Sequence, residues 1–158
     1  MATGAYFVAF NYKLYVKAGT TASTNPTTST GMTEVLSLTN AGIQGSSNTQ
    51  EVTDYGSSQG FSLQLVTGQS YTIPCTMNLD VNSAGYAILK DAALNATTKT
   101  VEWYRETPLQ EAGNDPEYHS GVAFVTDFSE SIESGSVAQV SFTLTGYGAY
   151  THTAETNA

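Results

Sequence analysis

Apolar and polar positions alternate with period two along much of this chain. Over residues 6–17, Tyr6, Val8, Phe10, Tyr12, Leu14 and Val16 fall on one face. Asn11, Lys13 and Lys17 fall on the other, with Phe7, Ala9 and Tyr15 among them. This periodicity belongs to a β-strand. Both faces carry apolar side chains, which predicts a strand covered in part on both sides. Fully extended, it spans roughly 40 Å at about 3.4 Å per residue, whereas strands usually hold about five or six residues. It therefore bends at a bulge or reaches a neighbouring subunit.

The same alternation predicts strands over 71–80, 121–128 and 136–145. Ile73, Cys75 and Met77 share the apolar face of the first. In the second, Val122, Phe124 and Phe128 stand against Ala123, Val125 and Asp127; in the third, Ala138, Val140, Phe142 and Leu144 form one face. Shorter strands are predicted over 33–38, 49–55 and 99–106. Phe61, Leu63 and Leu65 resume an apolar face after a polar loop at 56–60, and Thr67-Gly68-Gln69 reads as a turn into the next strand. One stretch, 83–95, has helical spacing instead: Tyr86, Leu89 and Ala93 share a face, with Ile88 and Ala92 beside it. Asp80, Asn82 or Ser83 can cap its first turn, and Gly85 weakens it.

The remaining segments read as loops: 18–32, rich in Thr and Ser with Pro26; a turn region at 39–47 holding Gly42 and Gly45; and an acidic loop at 108–120. The whole of 1–158 reads as a single domain with its core at about 6–146, and 147–158 as a polar C-terminal tail that frays. There is no internal repeat.

Composition narrows the function. Charged residues make up only 12% of the 158-residue chain, and fourteen acids against five bases give a formal charge of −9. A nucleic-acid reader needs a basic footprint, which this chain lacks, and the same sign disfavours anionic membranes. The acidity serves solubility, or lets DNA pass without sticking. Cys75 is the only cysteine, so no internal disulfide forms, and its place on an apolar face predicts a buried, inert thiol. Met1-Ala2-Thr3-Gly4-Ala5 has no basic signal region, and no apolar run reaches membrane-span length, so a protein made and used without export is expected.

No catalytic motif emerges. His119 and His152 lie far apart without a partner at ligand spacing, so no metal site is expected. No serine stands in a G-x-S-x-G setting, and no phosphate loop is present. Asp80-x-Asn82-x-Ala84-Gly85 with Asp91 faintly resembles a calcium loop, but Ala84 and Asp91 compromise two ligand positions, and helix capping accounts for Asp80 and Asn82. Glu102 and Glu106 share a strand face and read as an exposed acidic strand. No enzyme and no cofactor are expected.

The order of elements carries more. Phe10-Asn11-Tyr12-Lys13-Leu14-Tyr15-Val16 leads into a polar loop; Glu51-Val52-Thr53-Asp54-Tyr55-Gly56-Ser57-Ser58 follows; 71–80 leads into the single helix; 121–128 then pairs with 137–146 as a closing hairpin. Over 6–146 this order resembles the major tail tube protein of long-tailed bacteriophages. The resemblance implies a mainly β fold, a β-sandwich or barrel flanked by one α-helix, with long loops. It implies hexameric rings stacked into a tube through which DNA leaves the capsid, in a virion assembled in the host cytoplasm. Implied partners are copies of the same chain, a tape-measure protein, and tail-terminator or baseplate proteins; DNA passes unbound, and no membrane takes part. Thr20, Thr24, Asn25, Pro26 and Thr30 in one loop, and Gln44, Asn48, Tyr55 and Gln59 in another, become candidates for contacts between subunits or rings. Glu51, Asp54, Glu102 and Asp127 become candidate lumen acids. The alternative is a β-sandwich binding module, an adhesin or carbohydrate-binding domain, stacking sugars on Trp103, Tyr104 or Tyr118; core or interface packing is the favoured role of Trp103.

Overall fold

The computed structural model describes residues 12–52, 63–80, 82–109 and 113–156. Among the described residues, nine strands and one helix follow in order: β1 (Lys13–Gly19), β2 (Thr33–Glu34), β3 (Leu38–Ala41), β4 (Gln44–Val52), β5 (Leu63–Asn78), α1 (Ala84–Leu94), β6 (Thr100–Glu106), β7 (Tyr118–Ser131), β8 (Gln139–Gly146) and β9 (Thr151–Thr153). All pairings are antiparallel, in the order β2-β1-β6-β7-β8-β5-β3. β4 joins β5 beyond β3, and β9 joins β7 beyond the end of β8. The expected fold class, mainly β with one flanking helix, is the fold observed.

The period-two pattern explains which face is buried. Leu14 and Val16 of β1, Val101 and Trp103 of β6, Ala123 and Val125 of β7, Val140, Phe142 and Leu144 of β8, and Tyr71, Ile73, Cys75 and Met77 of β5 form one core. The helix closes over it with Tyr86, Leu89 and Ala92. Each fully buried Leu, Val or Phe contributes about 1.5–3 kcal/mol relative to exposure, so this face sets the register. Trp103 is wholly buried; its Nε1 donates to Tyr71 Oη at 3.2 Å, and Tyr71 Oη donates to the Val122 carbonyl at 3.1 Å. Burial pushes the Cys75 thiol up to about 12, which makes it the inert core group expected.

The helix expected at 83–95 is flanked by Ser83 and Asn95 as its two caps. Its start differs in mechanism. Ser83 makes no side-chain capping bond, and Asp80 Oδ1 instead accepts the Asn82 N–H at 3.0 Å, a turn that aims the chain at the helix. Tertiary packing, not a cap, holds this helix. Gly85 belongs to that packing: a Cβ there would lie 3.1 Å from the Glu34 carbonyl oxygen and 3.3 Å from Val35 Cα. The residue that weakens the helix lets it sit directly on the β2 segment.

Several expectations are corrected. Thr67-Gly68-Gln69 is no turn: Asn48 pairs with Gly68 and Thr49 with Val66, so Thr67 is the extra residue of a bulge in continuous β5, its Oγ1 donating to the Asn48 carbonyl. The 39–47 region is not a turn region but two strand segments, β3 and β4, taking successive places along the edge of β5. The strand expected at 33–38 splits at Ser37, which has φ 58°. β1 runs past Lys17 to Gly19, and the acidic loop ends earlier than residue 120, because β7 begins at Tyr118. A second bulge lies in β7, where the register shifts between Thr126 and Ser129 and Asp127 takes φ 52°. It carries Phe128 across to the Ala123 and Val125 face, where its ring lies 6.3 Å from Tyr86 and 6.5 Å from Phe142. The C-terminal tail is not frayed through Thr156: β9 pairs with β7, Asp115 bridges Thr156, and the Tyr150 ring sits 4.9 Å from Tyr71. Residues 6–11 of the first predicted strand, residues 53–55 and 56–60, and Phe61 lie outside the described residues.

Tyr86 also ties the helix to β7. Its hydroxyl donates to Glu130 Oε1 at 2.6 Å, and Lys90 Nζ lies 3.6 Å from the same oxygen. The Tyr86 hydrogen bond, followed by the Lys90 charge, holds the Glu130 carboxyl below its ordinary range. A carboxyl depressed in the folded state stabilises above its unfolded pKa, about 4.3 for glutamate, and loses that contribution as pH falls through the folded value. Glu130→Gln is therefore expected to lower Tm at pH 7, and to lower it progressively less as pH falls below the ordinary glutamate range. Melting curves of both proteins across that fall in pH check this.

Candidate assembly surface

β4 and the first half of β5 leave the body as a two-stranded ribbon. All nine residues of β4 are exposed, and so is β5 from Leu63 to Ser70 apart from half-buried Gly68. From Tyr71 onward β5 alternates buried and half-buried and belongs to the core. One sixteen-residue strand is thus half core and half arm. The arm is not polar throughout. Val52, Leu63, Leu65 and Val66 are 37%, 56%, 46% and 59% exposed. Val52 pairs with Leu63 across the ribbon and Leu65 lies two residues on, so these three share a face. A two-stranded hairpin standing alone is marginal in water, and its outer backbone groups are an open edge.

Gln44 and Asn48, expected in a loop, stand on β4 of this ribbon, both exposed. Tyr55, Gln59 and Asp54 lie outside the described residues. In the 20–30 loop, Thr24 and Thr30 are exposed and Pro26 is half-buried. Asn25 is engaged within the subunit: Nδ2 donates to the Ala149 carbonyl at 2.9 Å and to Thr151 Oγ1 at 2.8 Å. The Thr20 carbonyl accepts from Thr100 Oγ1 at 2.8 Å. Two of the five candidates thus anchor the loop, and Thr24 and Thr30 face outward.

The three described candidate lumen acids stand on three different strands. Glu51 is exposed on the ribbon; Glu102 is half-buried on β6, paired across strands with Lys17 and Val122; Asp127 is exposed at the β7 bulge. Of the candidate sugar-stacking aromatics, Trp103 joins the core, whereas Tyr104 and half-buried Tyr118 stand on the opposite face of the sheet. Trp103 is wholly buried, Tyr104 is buried, and Tyr118 stacks on Tyr104 with ring centroids 4.6 Å apart. The histidines, far apart in sequence, are neighbours: β7–β9 pairing sets His119 opposite His152, with ring centroids 4.7 Å apart. Burial first, and then the Arg105 charge, push His119 down to about 4. The missed signal was the three-residue strand β9, too short and polar to show alternation.

The chain matches no protein-family model and no curated protein sequence. Its fold is nonetheless shared with solved structures. A chain from the tail of an empty gene transfer agent particle, refined with C6 symmetry, superposes with TM-score 0.69 at 14% identity, over 94% of this chain and all of that one. The SPP1 tail tube gives 0.68 at 14% identity, over 94% of this chain and 80% of that one. A chain of the anti-feeding prophage baseplate, 6-fold symmetrised, gives 0.68 at 10% identity, over 98% of each chain. This chain has the tail-tube fold.

Proposed function

We propose that this chain is a structural, non-enzymatic virion protein, the subunit of a phage tail tube. Copies close into hexameric rings, and the rings stack into the conduit for DNA ejection. The observation that carries this reading is the exposed β4–β5 ribbon, whose Val52, Leu63, Leu65 and Val66 are 37–59% exposed. Docking on a copy of the same chain satisfies both the apolar face and the open edge. A closed ring does so without runaway growth in its plane, whereas axial stacking repeats head to tail and needs a terminator. The fold likeness to chains from tube and baseplate assemblies supports the same reading. In such a tube Thr24 and Thr30 reach a neighbouring protomer or ring, as do Gln44 and Asn48, and lumen-facing acids among Glu51, Asp54, Glu102 and Asp127 repel phosphate so that DNA slides without binding. Partners at the ends and inside are terminator, baseplate and tape-measure proteins, with assembly in the host cytoplasm.

Negative-stain microscopy of the purified chain tests this. Hollow tubes or six-fold rings are expected. Monodisperse monomers at every concentration, with binding to a glycan array, would overturn it in favour of an adhesin-like module.

A further inference from the structure

Three side chains converge where β9 lies against β7. Glu117 and His119 are two residues apart and point to the same side; His152 is the cross-strand partner of His119. Glu117 Oε1 lies 3.2 Å from His152 Nε2 and 3.9 Å from His119 Nε2, and the three donor atoms all fall within 4.8 Å of one another. Two ligand atoms, each about 2.1 Å from a tetrahedral zinc ion, are about 3.4 Å apart. The observed separations bracket that value, so small side-chain rotations bring all three onto one ion. The His119 side chain is 16% exposed, Glu117 33% and His152 50%, so the site is walled on the β7 side and open on the β9 side.

We propose that Glu117, His119 and His152 form a binding site for a divalent d-block cation of the zinc class. Two imidazole nitrogens and one carboxylate oxygen suit zinc better than calcium or magnesium, which take oxygen shells. Three protein ligands leave the fourth position to water. The ion would join β7 to the C-terminal strand β9 and add a side-chain link to the three residue pairs between these strands.

Arg105 opposes the ion and sets its affinity. Its Nη2 lies 3.4 Å from His119 Nδ1, and arginine only donates, so in the metal-free protein Nδ1 accepts and the ring proton sits on Nε2. Coordination through Nε2 moves that proton to Nδ1, with no net proton released, and turns Nη2 away. Nη1 keeps its bond to the Ala41 carbonyl at 2.9 Å. Reorganisation and the nearby positive charge make binding weaker than at a closed structural site.

The chain has only two histidines, so histidine-selective NMR reads the site directly. The full chain, tag-free and stripped with chelator, is titrated with zinc chloride at pH 7.5. Both imidazole spin systems are expected to shift together and to saturate at one zinc per chain. Calorimetry of the surface variants His152→Ala and Glu117→Gln is expected to show affinity lower by about tenfold or more. Absence of saturable binding, shifts confined to one histidine, or a His152→Ala variant that binds like the parent would overturn the proposal.

Discussion

Gly146→Ala is expected to destabilise the subunit by about 3 kcal/mol, a fall in Tm of roughly 6–12 °C for a domain of this size. Gly146 ends β8 opposite Ala123, and its φ is not left-handed, so the backbone itself would accept alanine. The obstacle is the Tyr71 ring. A Cβ at Gly146 would fall far inside van der Waals contact distance of Tyr71 Cε1 and Cδ1. The ring cannot swing aside, because its hydroxyl is held between Trp103 Nε1 and the Val122 carbonyl and its edge packs against Tyr150. Displacing it also breaks the hydrogen bond that satisfies the buried indole. Denaturant melts of the four proteins in a Gly146→Ala, Tyr71→Val cycle measure the coupling. In the Tyr71→Val background the alanine should cost well under about 1 kcal/mol. Equal costs in both backgrounds would sink the steric account.

Substituting both Leu63→Lys and Leu65→Lys is expected to abolish tube formation and leave a folded monomer. Both leucines are about half exposed on the ribbon and outside the core cluster, so Tm should stay within the range of ordinary surface changes, about ±0.5 kcal/mol. In the proposed assembly they would sit in a docked face, where each truncated anchor typically costs about 2 kcal/mol. Two such losses, with charges buried in their place, raise the concentration needed for assembly by roughly two to three orders of magnitude. Sedimentation of parent and variant at matched concentration, with circular dichroism of the unassembled fraction, reads both halves of the prediction. A variant that forms tubes like the parent would remove the ribbon from the interface.

Alternation was enough to place the body of this fold in advance. Leu14 and Val16, Ile73 through Met77, Val101 and Trp103, and Val140 through Leu144 turn inward as their spacing requires, because a period-two pattern over a buried face has one satisfactory register. The helix was legible from its change of period. What escaped depends on partners distant in sequence. Thr67-Gly68-Gln69 has the composition of a turn, and only β4 alongside makes it a bulge. Phe128 changes face because Asp127 adopts a left-handed conformation that no local preference demands. The ribbon was legible only in part: the strand expected at 49–55 covers the end of β4, but its uniformly polar start at 44–48, buried on neither face, writes no alternation. The Glu117, His119 and His152 cluster needed knowledge that β9 continues along the same edge of β7 where β8 stops.

The sheet order has a bearing on biosynthesis. Lys13 pairs in register with Glu106, and Ile73 with Leu144, so early-made strands wait for neighbours translated much later. Such delayed closure makes folding slow relative to local hairpins and helices. Nascent chains bearing sticky, half-finished borders accumulate during that interval, when a burst of synthesis crowds many of them together. Chaperone capacity at the time of expression would then govern the yield of usable subunits more than their final stability does.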